Sequence, residues 1–112
     1  MCREDELDER DFRVIPVRYR GQAHSAILFR LQGRVQAYLN QCVHMPRRLN
    51  CERDTIFSED GDFLRCSMHG IVYDPQSGAS ISTLCNGERL QRIRIALIEG
   101  TICLDDKRIA AA

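Results

Sequence analysis

Four side chains stand at spacings suited to holding metal: Cys42 and His44 on one segment, Cys66 and His69 on another. Each segment offers one thiolate and one imidazole within a few residues, which is ligand spacing on a loop. The mixture is informative. A zinc site with two Cys and two His usually draws both sulfurs from one segment and both nitrogens from the other. Here each loop supplies one of each. A two-iron cluster suits that order, with the thiolates of Cys42 and Cys66 on one iron and the imidazoles of His44 and His69 on the other. Two loops meeting across such a cluster reach both irons without the chain crossing itself. The bland alternative is that each Cys is a small buried hydrophobe and each His a satisfied core residue. Two mixed pairs in this order count against it.

The second segment continues as Cys66-Ser67-Met68-His69-Gly70-Ile71-Val72-Tyr73-Asp74-Pro75-Gln76-Ser77-Gly78, and Leu49 stands five positions after His44. In these motifs the chain resembles the Rieske [2Fe–2S] family, whose second loop reads C-x-x-H-G-x-x-[YF]-D before a Gly-containing turn. The similarity runs over roughly residues 12–105. It implies one [2Fe–2S] cluster held by Cys42, His44, Cys66 and His69, since two imidazoles replacing two thiolates define a Rieske centre. It also implies that Gly70, Ile71 and Tyr73 surround the cluster and tune it. Where high-potential relatives place a Ser hydroxyl two residues after the second ligand His, this chain has Ile71. Where they place a Tyr hydroxyl four residues after it, this chain has Tyr73. The disulfide that joins the cluster loops in those relatives would fall on Arg47 and Met68 and is therefore absent. Pro46 replaces a usual Gly, and residues 45–65 make the gap between the two ligand pairs longer than usual. Residues 82–87 fall where the family's third, Pro-rich loop belongs.

Composition sets the limits. A chain of 112 residues is one domain. Lys+Arg and Asp+Glu are 16 each, so the basic excess of a nucleic-acid binder is missing. No run approaches the ~18 apolar residues of a membrane span. The acidic stretch 1–11 has no apolar segment, which argues against a signal peptide and for a cytoplasmic protein. Beyond the two ligand cysteines, Cys2, Cys51, Cys85 and Cys103 remain, and a reducing compartment makes them free thiols.

The elements that must position the four ligands are strands. Residues 1–11 read as a solvated, frayed lead-in, and residues 12–108 as a single domain whose cluster-binding part is about 41–86. Residues 12–19 form a first strand, with Pro16 marking an edge or a bend. Ile27, Phe29 and Leu31 alternate as the buried face of a second strand. Gln32-Gly33 turns it into a third, with Val35, Ala37 and Leu39, which leads straight to Cys42. Thr55-Ile56-Phe57 and Phe63-Leu64-Arg65 form a hairpin that accounts for the long gap and ends at Cys66. Val72-Tyr73 pairs with residues 79–81 across the turn 74–78. Ile93, Ile95 and Leu97 pair with Ile102 and Leu104 through Glu99-Gly100, with Arg92 and Arg94 facing solvent. Many short strands between turns imply an all-β sandwich or barrel. That agrees with the Rieske fold, an antiparallel base with a small cluster-binding subdomain.

For function, the resemblance implies a one-electron carrier and not an enzyme. Rieske oxygenases add a catalytic iron bound by two His and one carboxylate, and His24 is the only histidine left over here. The chain thus resembles the Rieske-type ferredoxins that pass electrons from a reductase to a terminal oxygenase, through weak, transient contacts. Nucleic acid and membrane are not expected partners. Two alternatives stand beside this reading. One is a small non-catalytic subunit of a larger oxidoreductase, as in nitrite reductases. The other is a zinc-stabilised interaction module, for which a colourless protein would be diagnostic.

Overall fold

A computed structural model describes residues 2–41, 49, 55–58, 61–66, 71–81 and 88–111. Among them the strands are β1 Cys2–Arg3, β2 Phe12–Tyr19, β3 Gln22–Leu31, β4 Arg34–Leu39, β5 Leu64–Arg65, β6 Val72–Tyr73, β7 Arg92–Ile93, β8 Ile95–Ile98, β9 Thr101–Leu104 and β10 Ile109–Ala111. The one helical element described is a short 3-10 turn at Glu4–Glu6. All pairings are antiparallel, so the all-β expectation holds. No helix among the described residues is long and apolar enough to cross a membrane. The chain divides into two compact units, Met1–Leu39 with Arg92–Ala112, and Asn40–Gln91.

The first unit holds a five-stranded sheet in the order β10-β2-β3-β4-β7 and a three-stranded sheet in the order β1-β9-β8. Its hairpins turn on X-Gly pairs. Gln32 and Gly33 both have positive φ, 53° and 76°, as a two-residue turn between twisted strands requires. Glu99 and Gly100 repeat the device between β8 and β9, with φ of 49° and 78°. One core cluster joins Val17, Ala26, Leu28, Ala37, Leu39 and Ile93 of the larger sheet to Ile102 of the smaller one, with Leu7 and Ile109 closing it. Pro16 lies just past residues 17–19, where β10 pairs with β2. The missing N–H of proline is tolerated where a ladder has ended.

Two expectations are corrected. Residues 1–11 are not a frayed lead-in. Cys2 and Arg3 pair with Ile102 and Thr101, the Glu4 N–H donates to Gly100 O at 2.8 Å, and Leu7 is 1 % exposed in the core. Arg30 ties the segment down through its guanidinium, donating to Leu7 O at 2.6 Å and Glu4 O at 3.0 Å. Glu9 accepts the Gln32 and Gly33 N–H groups at 2.6 and 2.8 Å, which holds its carboxyl below the usual carboxylate range. The acidic composition hid a single buried anchor, Leu7, and a set of main-chain contacts that leave no pattern.

β3 is not buried on one face only. Ala26 and Leu28 enter the core cluster, and Ile27, Phe29 and Leu31, on the opposite face, are buried too. Phe29 stacks on Tyr38 of β4, with ring centroids 5.9 Å apart. Arg92 covers that tyrosine, its carbon 5.1 Å from the ring and its Nη2 donating to the hydroxyl at 2.9 Å. The run from Ala26 to Phe29 is apolar at both parities, as a strand buried on both faces requires.

Asp106 fastens β10 to the rest of the unit. Its Oδ2 accepts from Arg94 N–H at 3.1 Å and from Arg108 Nη2 at 2.8 Å. Its Oδ1 accepts from Arg108 N–H at 3.1 Å and from Arg108 Nε at 3.0 Å. Arg108 Nη2 also reaches Arg92 O at 2.6 Å.

Candidate metal centre

The second unit is built around the hairpin β5–β6. Leu64 pairs with Tyr73 and Arg65 with Val72. The Cys66 N–H then donates to Ile71 O at 2.9 Å, which extends the ladder by one pair. Residues 67–70 therefore lie between two strand ends joined by a backbone bond. The period of two puts Leu64, Cys66, Ile71 and Tyr73 on one face of the hairpin, and all four are at most 1 % exposed. Tyr73 is the diagonal neighbour of Cys66 on that face, within reach of a long side chain. Arg65 and Val72, on the other face, are only half-buried.

Short segments flank this hairpin on both sides. Phe57 bridges Leu64, and the Arg65 N–H donates to Ile56 O at 2.8 Å. The hairpin expected from residues 55–65 is thus present, closed by a bond from Ser58 N–H to Phe63 O at 2.8 Å. On the far side Tyr73 bridges Ser80, and Ala79 bridges Arg89. The turn 74–78 is shaped by Asp74, whose Oδ1 accepts from Gln76 N–H at 2.8 Å and Ser77 N–H at 3.2 Å. Asp-Pro followed by Gly was legible as this turn, because Asp bonds its own following backbone.

Of the four expected ligands, Cys66 is described: a buried thiol at the end of a paired strand. Cys42, His44 and His69 lie outside the described residues, as do Pro46, Arg47, Arg48, Met68, Gly70, Cys51 and Cys85. Among the described residues no three metal-binding side chains gather in one place. Cys2 and Cys103 are free thiols. Cys2 pairs with Ile102, so Cys103 on the next position projects from the opposite face of β9. His24 is half-buried in β3 and packs at right angles to the Tyr19 ring, with centroids 5.8 Å apart.

One group that sequence reasoning passed over is Asn40. It directly follows β4, is 4 % exposed, and accepts the Leu49 N–H on Oδ1 at 2.9 Å. Leu49 is itself fully buried, 0 % exposed. The bond joins the two ends of the segment that carries Cys42 and His44. An Asn at a strand end is a weak signal without its partner.

The described part of the candidate centre is a hairpin that presents one buried thiol beside a short loop in an all-β chain. A soft sulfur donor on a backbone fixed by a ladder fits an iron–sulfur group. The model of the Rieske [2Fe-2S] domain matches residues 1–94, and the chain belongs to that family. Its solved relatives have the same fold. The ferredoxin of carbazole 1,9a-dioxygenase from Nocardioides aromaticivorans IC177 superposes with a TM-score of 0.69 at 17% identity, covering 94% of this chain and 93% of that one. Sphingomonas yanoikuyae B1 ferredoxin gives a TM-score of 0.66 at 21% identity, with 95% of each chain covered. A chain from the complex of reduced oxygenase and oxidized ferredoxin in carbazole 1,9a-dioxygenase gives 0.72 at 20% identity, covering 94% of this chain and 98% of that one. A search of curated protein sequences returns no match.

Proposed function

We propose that this chain is a one-electron carrier, the ferredoxin component between a reductase and a terminal oxygenase, and that it works in the cytoplasm. The observation that carries this reading is the Cys66–Ile71 hairpin end inside a family whose domain holds a [2Fe–2S] cluster. Cys42 and Cys66 hold one iron as thiolates, and His44 and His69 hold the other as neutral imidazoles. When bound, such a cluster takes up or releases one electron. Residues about 41–86 form the cluster-binding part of a single domain spanning 12–108. His24 is the one histidine outside the proposed ligands in this sequence, so it offers no second histidine set for a catalytic iron. The match to ferredoxins over nearly the whole of both chains supports a carrier role. The direct test is composition and spectrum. The purified chain is expected to be red-brown, with equal iron and sulfide and a rhombic signal on reduction. A colourless protein carrying zinc would overturn the reading. Electron delivery follows: a reductase that reduces the chain should, through it, reduce an oxygenase that it cannot serve alone.

The surroundings of Cys66 set the potential. Hydrogen bonds to cluster sulfurs delocalise negative charge and favour the reduced state. Ile71 cannot donate, and Gly70 has no side chain. Tyr73, on the same buried face as Cys66, is the donor within reach. The potential is therefore expected towards the bottom of the ~−150 to +300 mV Rieske range. Tyr73→Phe should lower it, and Ile71→Ser should raise it, each by roughly tens of millivolts. Protein-film voltammetry on the three proteins decides. An Ile71→Ser protein with a lower potential than wild type would show that these hydrogen bonds are not the control.

A further inference from the structure

We infer that Asn40 is a positioning residue for the first ligand loop, acting through the Leu49 main chain. This rests on the proposed role of Cys42 and His44 as ligands. The two loops are closed by different means. Residues 67–70 are spanned by a backbone bond, Cys66 N–H to Ile71 O at 2.9 Å, which no side-chain substitution removes. Residues 41–48 are spanned by a bond from a side chain, with Asn40 Oδ1 accepting Leu49 N–H at 2.9 Å. Both of its ends are buried, at 4 % and 0 % exposure. Its donor is shielded from water, so without the acceptor the Leu49 N–H goes unsatisfied, and the closed loop must open to reach solvent. The acceptor lies two residues before Cys42, and the donor five residues after His44. This amide oxygen fixes one distance between the loop ends and so narrows the positions open to both ligands. Closing a loop costs entropy, which a buried hydrogen bond at its ends helps to offset.

The loss of a buried hydrogen-bond partner changes an equilibrium by roughly tenfold to a hundredfold. Asn40→Ala in the full chain should therefore release iron to a chelator about tenfold faster or more than wild type, read as bleaching of the visible absorption. Asn40→Asp keeps an oxygen at the same place and should stay within about threefold of wild type. Hydrogen exchange at the Leu49 amide, read by mass spectrometry, should speed up in Asn40→Ala and not in Asn40→Asp, with exchange in β3 unchanged in both. An Asn40→Ala protein that keeps its cluster as long as wild type overturns the inference. So does an Asn40→Asp protein that fails as badly as Asn40→Ala. If Asn40→Ala does not fold, the wild-type protein still decides, because its Leu49 amide should be protected to within about tenfold of the Cys66 amide. Free exchange at Leu49 overturns the bond itself. A wild-type chain without iron and sulfide overturns the ligand assignment and this inference with it. A cluster-bearing wild type with an indifferent Asn40→Ala overturns this inference alone.

Discussion

Cys66→Ser should abolish the visible chromophore entirely. A serine hydroxyl is a harder and far less acidic donor than a thiol, so the iron that Cys66 is proposed to hold would lose one of its two thiolate ligands. The effect is compounded by position. Cys66 is 1 % exposed on an apolar face shared with Leu64, Ile71 and Tyr73. Burying a hydroxyl there costs about 1–3 kcal/mol on its own unless it finds a partner. Cluster binding is also folding free energy for the loops it joins, so the variant should lose thermal stability as well as colour. Cys103→Ser is the control. Cys103 is half-buried and its thiol donates to Thr101 O at 3.7 Å, and the spectrum should be unchanged. Iron and sulfide analysis with visible absorption on both variants is the measurement. A Cys66→Ser protein that stays red-brown, or a Cys103→Ser protein that is folded but colourless, would remove the ligand assignment.

Asp106→Asn should be strongly destabilising although it lies away from the metal centre. The Asp106 side chain is 1 % exposed, and its Arg108 partner is 37 % exposed. The carboxylate accepts from two backbone N–H groups and from Arg108 twice, and so joins the β7–β8 connection to the β9–β10 turn. Asn keeps one acceptor oxygen but loses the charge and turns a donor toward the Arg108 guanidinium. With a discount for the exposure of Arg108, the expected loss is about 2–3 kcal/mol, or roughly 10 °C in Tm. The same site makes a pH prediction. The Arg108 guanidinium and the backbone donors hold the Asp106 carboxyl well below the usual carboxylate range. A carboxyl with a depressed folded-state pKa stabilises above its unfolded value, about 3.9. That contribution declines as pH falls toward the folded value. The Tm gap between wild type and Asp106→Asn should therefore be constant from pH 5 to 7 and shrink below about pH 4. A gap that does not change with acid, or one too small to measure at neutrality, would show that the ion pair does not fasten β10.

The metal-binding chemistry and the fold class were carried by the sequence because both are local. Cys66-Ser67-Met68-His69-Gly70 with Tyr73 and Asp74 is a motif of contiguous residues, and Gln32-Gly33 and Glu99-Gly100 mark hairpins by backbone chemistry that needs no distant partner. The strand at Phe12–Tyr19 was legible in the same way, down to its proline. What the tertiary structure decided depends on pairs far apart in the chain. Leu7 became core because Arg30 and the Gln32–Gly33 turn hold its segment against β3. Both faces of β3 are buried, and an apolar run of both parities does not by itself say what covers each face. Asp106 and Arg108 carry no mark in the sequence beyond their charge, and their bonds to Arg94 and Arg92 exist only in the folded chain. Asn40 belongs with them. Its amide accepts a main-chain N–H nine residues on, and a main-chain N–H has no identity in a sequence, so only the folded chain could single that side chain out.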